Sequence, residues 1–164
     1  MIVISDTTPI ISLMKTNRLN LLKEMFSIVY IPNAVYKELI ENKNYSKEAE
    51  LIKDCDFIKV IKIENEKSAS ILMNFTGLDA GESEAIILAD EKQSDVLLMD
   101  EHKGRQVAKK MGIVITGTIG ILAQAFDEKI LSKEDIKECI DLLKKNNIRI
   151  GEKLYQKLQN YVGI

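Results

Sequence analysis

Across 164 residues the sequence has one histidine, two cysteines, two prolines and no tryptophan. His102 is the only imidazole, so Ser5 and Thr8 have no histidine base beside them, and the usual route to a serine or threonine nucleophile is missing. Cys55 and Cys139 lie far apart with no Cys-x-x-Cys pair. That argues against a zinc knuckle or a disulfide; they read as buried thiols in a reducing compartment. No apolar run approaches the length of a bilayer span, and the opening "MIVIS" has no basic n-region. A cytoplasmic protein with no membrane partner is expected. The formal net charge is -2, which excludes a wholly basic nucleic-acid binder and confines any polyanion site to a local patch.

What is present is an alternation of short apolar runs and helical patterns. "MIVIS" (β-branched and apolar), "SIVYIP", "FIKVIKI", "DVLLMD" and "IVITGT" read as strands. "FIKVIKI" alternates strictly, which suits a sheet edge with one wet face. Helices are expected from Pro9, over Leu19–Phe26, from Asn33, from Ser46 to about Cys55, and from Asp79 to about Lys92. Others follow Asp100, stopping at Gly112, and cover "IGILAQAF", Ser132 to Lys145, and roughly Glu152 to Val162. Strands separated by helices predict a mostly parallel sheet covered on both faces, a three-layer α/β/α architecture. One domain is expected over 1–164, with a core of about 1–126 and C-terminal helices of about 132–162.

In such sheets ligands bind outside the C-terminal ends of the strands. Two buried strands end on an acid, "VISD" at Asp6 and "LLMD" at Asp100. Either acid alone reads as well as a helix cap; both together tilt the reading towards function. Glu38 shares a helix face with Val35 and Leu39 and borders the apolar stripe. In "LDAGESEAIILA", Asp79 and Glu82 have capping-box spacing, which gives Glu82 a structural job. Glu84 shares a face with Ala80, Ile87 and Leu88 and is favoured as the functional acid, with Glu82 as the alternative.

Two carboxylates about 6 Å apart repel by roughly 3 kcal/mol at an effective dielectric near 20. Four that converge would oppose the ~5–15 kcal/mol that holds a domain together. Such a cluster takes up protons or a cation, and all-oxygen ligands select a hard ion, Mg²⁺ or Mn²⁺.

The ordered set "SDTTPI", "IPNAVYKEL", "LDAGESEAIILA", "LLMDEHKGRQVA" and "GIVITGTIGIL" resembles the PIN-domain family, in particular its VapC-like branch, from residue 2 to about 126. The resemblance implies a small α/β/α metal-dependent ribonuclease, in many members the toxin of a toxin–antitoxin pair. Position by position, the family's acids match Asp6, Glu38, Glu84 and Asp100, with Glu in the third place where many members have Asp. These four are the expected catalytic and metal-binding residues. Its hydroxyl beside the first acid matches Thr7 or Thr8, and Thr116 or Thr118 would contact the metal-bound water or a phosphate. RNA cleaved by a metal-activated water would leave 5′-phosphate and 3′-hydroxyl ends.

Lys103, Arg105, Lys109 and Lys110 stand within about two helical turns of Asp100 and suit a phosphate backbone as well as an ordinary solvated face. Tyr30, Tyr36 and Tyr45 are candidates for base stacking or for core. Ile10, Leu13 and Leu21 are candidates for a homodimer surface, with core as the default. A haloacid-dehalogenase-like phosphatase would need an acid two residues after Asp6, where Thr8 stands. A receiver domain would need a late strand-end lysine, where "IVITGT" offers threonine. The rival from another class is a PIN-like module that binds RNA or a partner without cutting it.

Overall fold

The computed structural model describes residues 1–164. Five short strands form one sheet in the order β3-β2-β1-β4-β5, and every neighbouring pair is parallel. They are β1 (Val3–Ser5), β2 (Val29–Pro32), β3 (Ile58–Ile61), β4 (Val96–Leu98) and β5 (Ile115–Thr116). The helices are α1 (Thr7–Lys15), α2 (Leu21–Phe26), α3 (Asn33–Glu41), α4 (Ser46–Lys53), α5 (Glu66–Thr76) and α6 (Ala80–Glu91). They continue as α7 (His102–Lys110), α8 (Thr118–Asp127), α9 (Lys133–Lys145) and α10 (Glu152–Val162). The result is a three-layer α/β/α fold.

The two faces of β1 explain the layers. Successive strand side chains point to opposite sides. Val3 enters a core of 27 residues shared with α1, α2, α3, α8, α9 and α10, while Ile4 enters a second core of 12 residues with α6 and α7. A strand apolar at both positions is what a sheet covered on both faces requires.

The chain runs outward through β2 and β3 on one side of β1, then returns to place β4 on the other. The reversal makes the C-terminal ends of β1 and β4 the switch point, where the open crevice of such sheets lies. Asp6 and Asp100 flank it. The Asp6 amide donates to the Leu98 carbonyl at 2.9 Å, and the Met99 amide to the Thr116 carbonyl at 2.9 Å, so the ladder continues just past both strands.

Three local expectations change. A helix, α5, fills residues 66–76, which periodicity leaves unassigned. Its signals lie at its ends: Asn65 accepts from the Ser68 amide, and Gly77 closes it with φ +72°. Ser46 is the first residue of α4 and not its cap, because a 3-10 turn over Lys43–Tyr45 precedes it. β3 does lie at the sheet edge, but its alternation does not divide wet from dry: Val60 is 42% exposed and Lys59 is exposed as well.

The C-terminal helices pack back on the rest: α9 against α1 and α8, and α10 against α8 and α9. Arg18, just beyond α1, donates to Asp135 at 2.7 Å and Glu138 at 3.2 Å on α9. Ile10, Leu13 and Leu21 are buried in the larger core, so they form no surface. Tyr36 and Tyr45 pack against that core and Tyr30 against the smaller one. No helix is long and apolar enough to cross a membrane.

Candidate active site

Asp6 is only 3% exposed. It occupies the N-cap position of α1, yet its side chain makes no capping bond. Its carboxyl pKa is pushed up to about 8, mainly by burial, and the charges of Glu82, Asp79 and Glu38 add to the rise while the Thr7 amide opposes it. Glu38 comes from the second turn of α3 and accepts a 2.7 Å bond from the Thr7 hydroxyl. Of the two hydroxyls beside the first acid, Thr7 is the one engaged with Glu38; Thr8 makes no side-chain hydrogen bond and stays half-buried on α1.

α6 brings the next acids. Asp79 and Glu82 form the capping box read from their spacing, with the Glu82 amide donating to Asp79 at 2.8 Å and the Asp79 amide to Glu82 at 2.9 Å. Gly81 lets the turn lie against α3: a Cβ there would stand 3.3 Å from Glu38 Oε2 and 3.5 Å from Asp79 Oδ1. Burial raises the Glu82 pKa, and Asp79, Glu101 and Glu38 raise it further, against the Asp79 amide. Capping and membership of the acid group are thus compatible, because the cap uses one carboxylate oxygen.

Glu84 is engaged elsewhere. Its Oε2 accepts the Ala34 amide at 2.9 Å, at the N-terminus of α3, a turn before Glu38. This corrects the expectation that Glu84 has no structural task. A carboxylate on the orphan amides of a helix start is well satisfied there. Glu82, and not Glu84, is among the charges felt by Asp6.

Asp100 lies on the other side of the switch point. It accepts the Thr118 amide at 2.7 Å and the Thr118 hydroxyl at 2.6 Å, one on each oxygen. Burial raises its pKa, while the Thr118 bonds and the Arg105 charge pull it down. Gly117 is needed for close approach: a Cβ there would meet Asp100 Oδ1 at 2.5 Å. Arg105 donates to the Met99 carbonyl at 2.8 Å. Thr116 packs against Gly120. No three His, Cys, Asp or Glu side chains are drawn together closely enough to hold a metal ion.

The chemistry of the donors nevertheless fits a hard divalent cation. They are all carboxylates, and the most buried one is surrounded by like charges with nothing opposite to balance them. His102 and Arg105 of α7 stand beside Asp100, and neither they nor Lys103, Lys109 and Lys110 further along the helix are held in an ion pair. Lys103 Nζ hangs over Gly77, 3.1 Å from where a Cβ would be. Two clefts open beside these groups. One, of about 460 Å³, is bordered by Glu38, Asp79 and Gly81; the other, of about 320 Å³, is bordered by Asp100, His102 and Arg105.

A family model described as PIN domain matches residues 2–163. The chain belongs to the PIN-domain family. PIN domains are generally nucleases, which fits an acid-lined switch point beside a basic helix. The match extends through α9 and α10, beyond the residue of about 126 where the sequence resemblance stops. No curated protein matches the chain.

Proposed function

We propose that this PIN domain is a Mg²⁺- or Mn²⁺-dependent ribonuclease. The observation that carries the reading is Asp6, a carboxyl only 3% exposed that ends β1 at the switch point, caps nothing, and adjoins the Thr7 hydroxyl that holds Glu38. Such a group remains ionised at neutral pH only beside a positive charge.

Asp6, Glu38 and Glu82 would hold the cation, with Asp100 completing the site from the β4 side. When bound, the cation supplies a Lewis acid for the phosphate oxygens and makes a water acidic enough to attack. The Thr7 hydroxyl fixes the Glu38 carboxylate by a 2.7 Å bond. Thr118 holds both oxygens of Asp100, which orients it without help from substrate. In this reading Thr118 positions an acid, while Thr116, which lines the cleft beside Asp100, and Thr8 keep the water- or phosphate-positioning role. The α7 cations Lys103, Arg105 and Lys109 would track the RNA backbone. A toxin role would add a cognate antitoxin that blocks this site, and a homodimer would use a surface other than Ile10, Leu13 and Leu21.

The reading of a non-cleaving module rests on one observation, that no three acids are drawn together closely enough to hold a metal ion. Cleavage of single-stranded RNA with Mg²⁺ or Mn²⁺, by wild type, Asp6→Asn and Asp100→Asn, separates the two. Loss in both variants and in EDTA supports the nuclease. Cleavage that survives both variants or ignores EDTA sinks it.

A further inference from the structure

The cleft of about 320 Å³ beyond Asp100 is large enough for a small ligand, since such pockets begin at roughly 300 Å³. Its walls are of two kinds. Asp100, His102, Arg105 and Thr116 are its polar lining, and Ile115, Ile119 and Leu154 its apolar lining.

Leu154 is the unexpected member, because it comes from α10, far along the chain from Asp6, Glu38, Glu82 and Asp100. It is 46% exposed, although its helix neighbours Tyr155 and Leu158 are buried at 2% each. The core is therefore served by Tyr155 and Leu158, and Leu154 is left facing the cleft. Arg105 spends one N–H on the Met99 carbonyl and forms no ion pair, so most of its five donors remain unused.

A purely cationic cleft would hold phosphate without reading what is attached to it, and a purely apolar one would not orient a charged chain. Single-stranded RNA presents both chemistries at once, because its unstacked bases lie on side chains while its phosphates meet cations. We infer that this cleft takes the nucleoside adjoining the scissile phosphate, with Leu154 packed on the base and His102 and Arg105 on the phosphate, which makes Leu154 a specificity-determining residue. The inference rests on the ribonuclease reading and gives α10 a part in the substrate site.

The test reads the cleft apart from the cleavage. The four nucleoside 5′-monophosphates are titrated into metal-free protein while the imidazole NMR signals of His102 are followed; they are unique, since the chain has no other histidine. In wild type at least one nucleotide should shift them, and more strongly than inorganic phosphate. Leu154→Ala should weaken that nucleotide about tenfold, the scale of lost apolar contact in a binding pocket, at an unchanged melting temperature. On a random single-stranded RNA pool, the same variant should raise KM, hold kcat and alter the base preference at the cut. Leu51→Ala, which truncates an exposed leucine on α4, should do none of this.

Unmoved His102 signals, phosphate that matches every nucleotide, or a Leu154→Ala protein with wild-type affinity and preference would each overturn the inference. Wild type that cuts RNA alongside an unaffected Leu154→Ala variant overturns it alone. Wild type that binds nucleotides through Leu154 but cuts nothing supports the cleft and overturns the ribonuclease reading.

Discussion

Asp6 and Asp100 end neighbouring strands, and the fold treats them differently. Asp100 is provided for: an amide and a hydroxyl from Thr118 occupy its two oxygens, and Arg105 adds positive charge. Asp6 is more deeply buried, caps nothing, and is surrounded by Glu38, Asp79 and Glu82. An acid held by donors is ordered before any ligand arrives. An acid crowded by acids is costly until a proton or a cation neutralises it, and on the proposed reading that cation is Mg²⁺ or Mn²⁺.

The sharpest break of this comparison comes from neutralising each acid in turn. Asp6→Asn and Asp100→Asn should each lower Mn²⁺-dependent RNA cleavage by more than about 100-fold, beyond the effect of a single lost hydrogen bond. Their melting temperatures should move in opposite directions. Asp6→Asn removes a repelled charge and should raise Tm by about 2–4 °C, whereas Asp100→Asn forfeits bonds to a charged acceptor and should lower it by at least as much. Calorimetric scans at pH 8 without metal measure both.

Gly117→Ala comes next. The added methyl would stand 2.5 Å from Asp100 Oδ1, so the carboxylate must leave Thr118. A stability loss of about 1–3 kcal/mol is expected from denaturant titration, together with most of the activity.

The third acid is decided by a pair of variants. Glu82→Gln should reduce Mn²⁺ affinity and cleavage. Glu84→Gln should cost about 1 kcal/mol of stability through the weakened start of α3 and leave Mn²⁺ affinity near that of wild type. The reverse ranking would return Glu84 to the site.

The same contrast implies a pH dependence. The folded pKa of Asp6, about 8, lies above its ordinary 3.8. The folded state therefore holds its proton more tightly than the unfolded chain. The contribution of Asp6 to stability is complete below pH 3.8 and is lost as the pH rises towards 8. Added Mg²⁺ should restore it, so the Mg²⁺-induced rise in Tm should be larger at pH 8 than at pH 5. Equal rises at the two pH values would break the link between Asp6 and the cation.

Much of the fold was legible because burial on both faces leaves a plain mark: "VIS" and "VLL" are too short and too apolar to be anything but inner strands. The capping boxes at Asp79 and Ser132 were equally plain, since their spacing encodes the bonds they form. α5 is hidden because it covers little: only Ala69 in it is fully buried and Phe75 is 87% exposed, so no apolar period develops. The placement of Asp6 and Asp100 at strand ends and of Glu38 on an inward helix face could be read from the sequence. The choice between Glu82 and Glu84 could not, because helical spacing shows which face a residue occupies but not which neighbouring element meets it. The amide that engages Glu84 belongs to Ala34, fifty positions away. Leu154 left no signal at all beyond an apolar residue in an amphipathic helix.

The central claim is that the acids around Asp6 exist to hold a divalent cation. Isothermal titration of Mn²⁺ into metal-free protein at neutral pH tests it most directly. The account predicts saturable binding by wild type, retained in Glu84→Gln and lost in Asp6→Asn. Wild type that takes up no Mn²⁺ at millimolar concentration, or Asp6→Asn that binds it as wild type does, would contradict it.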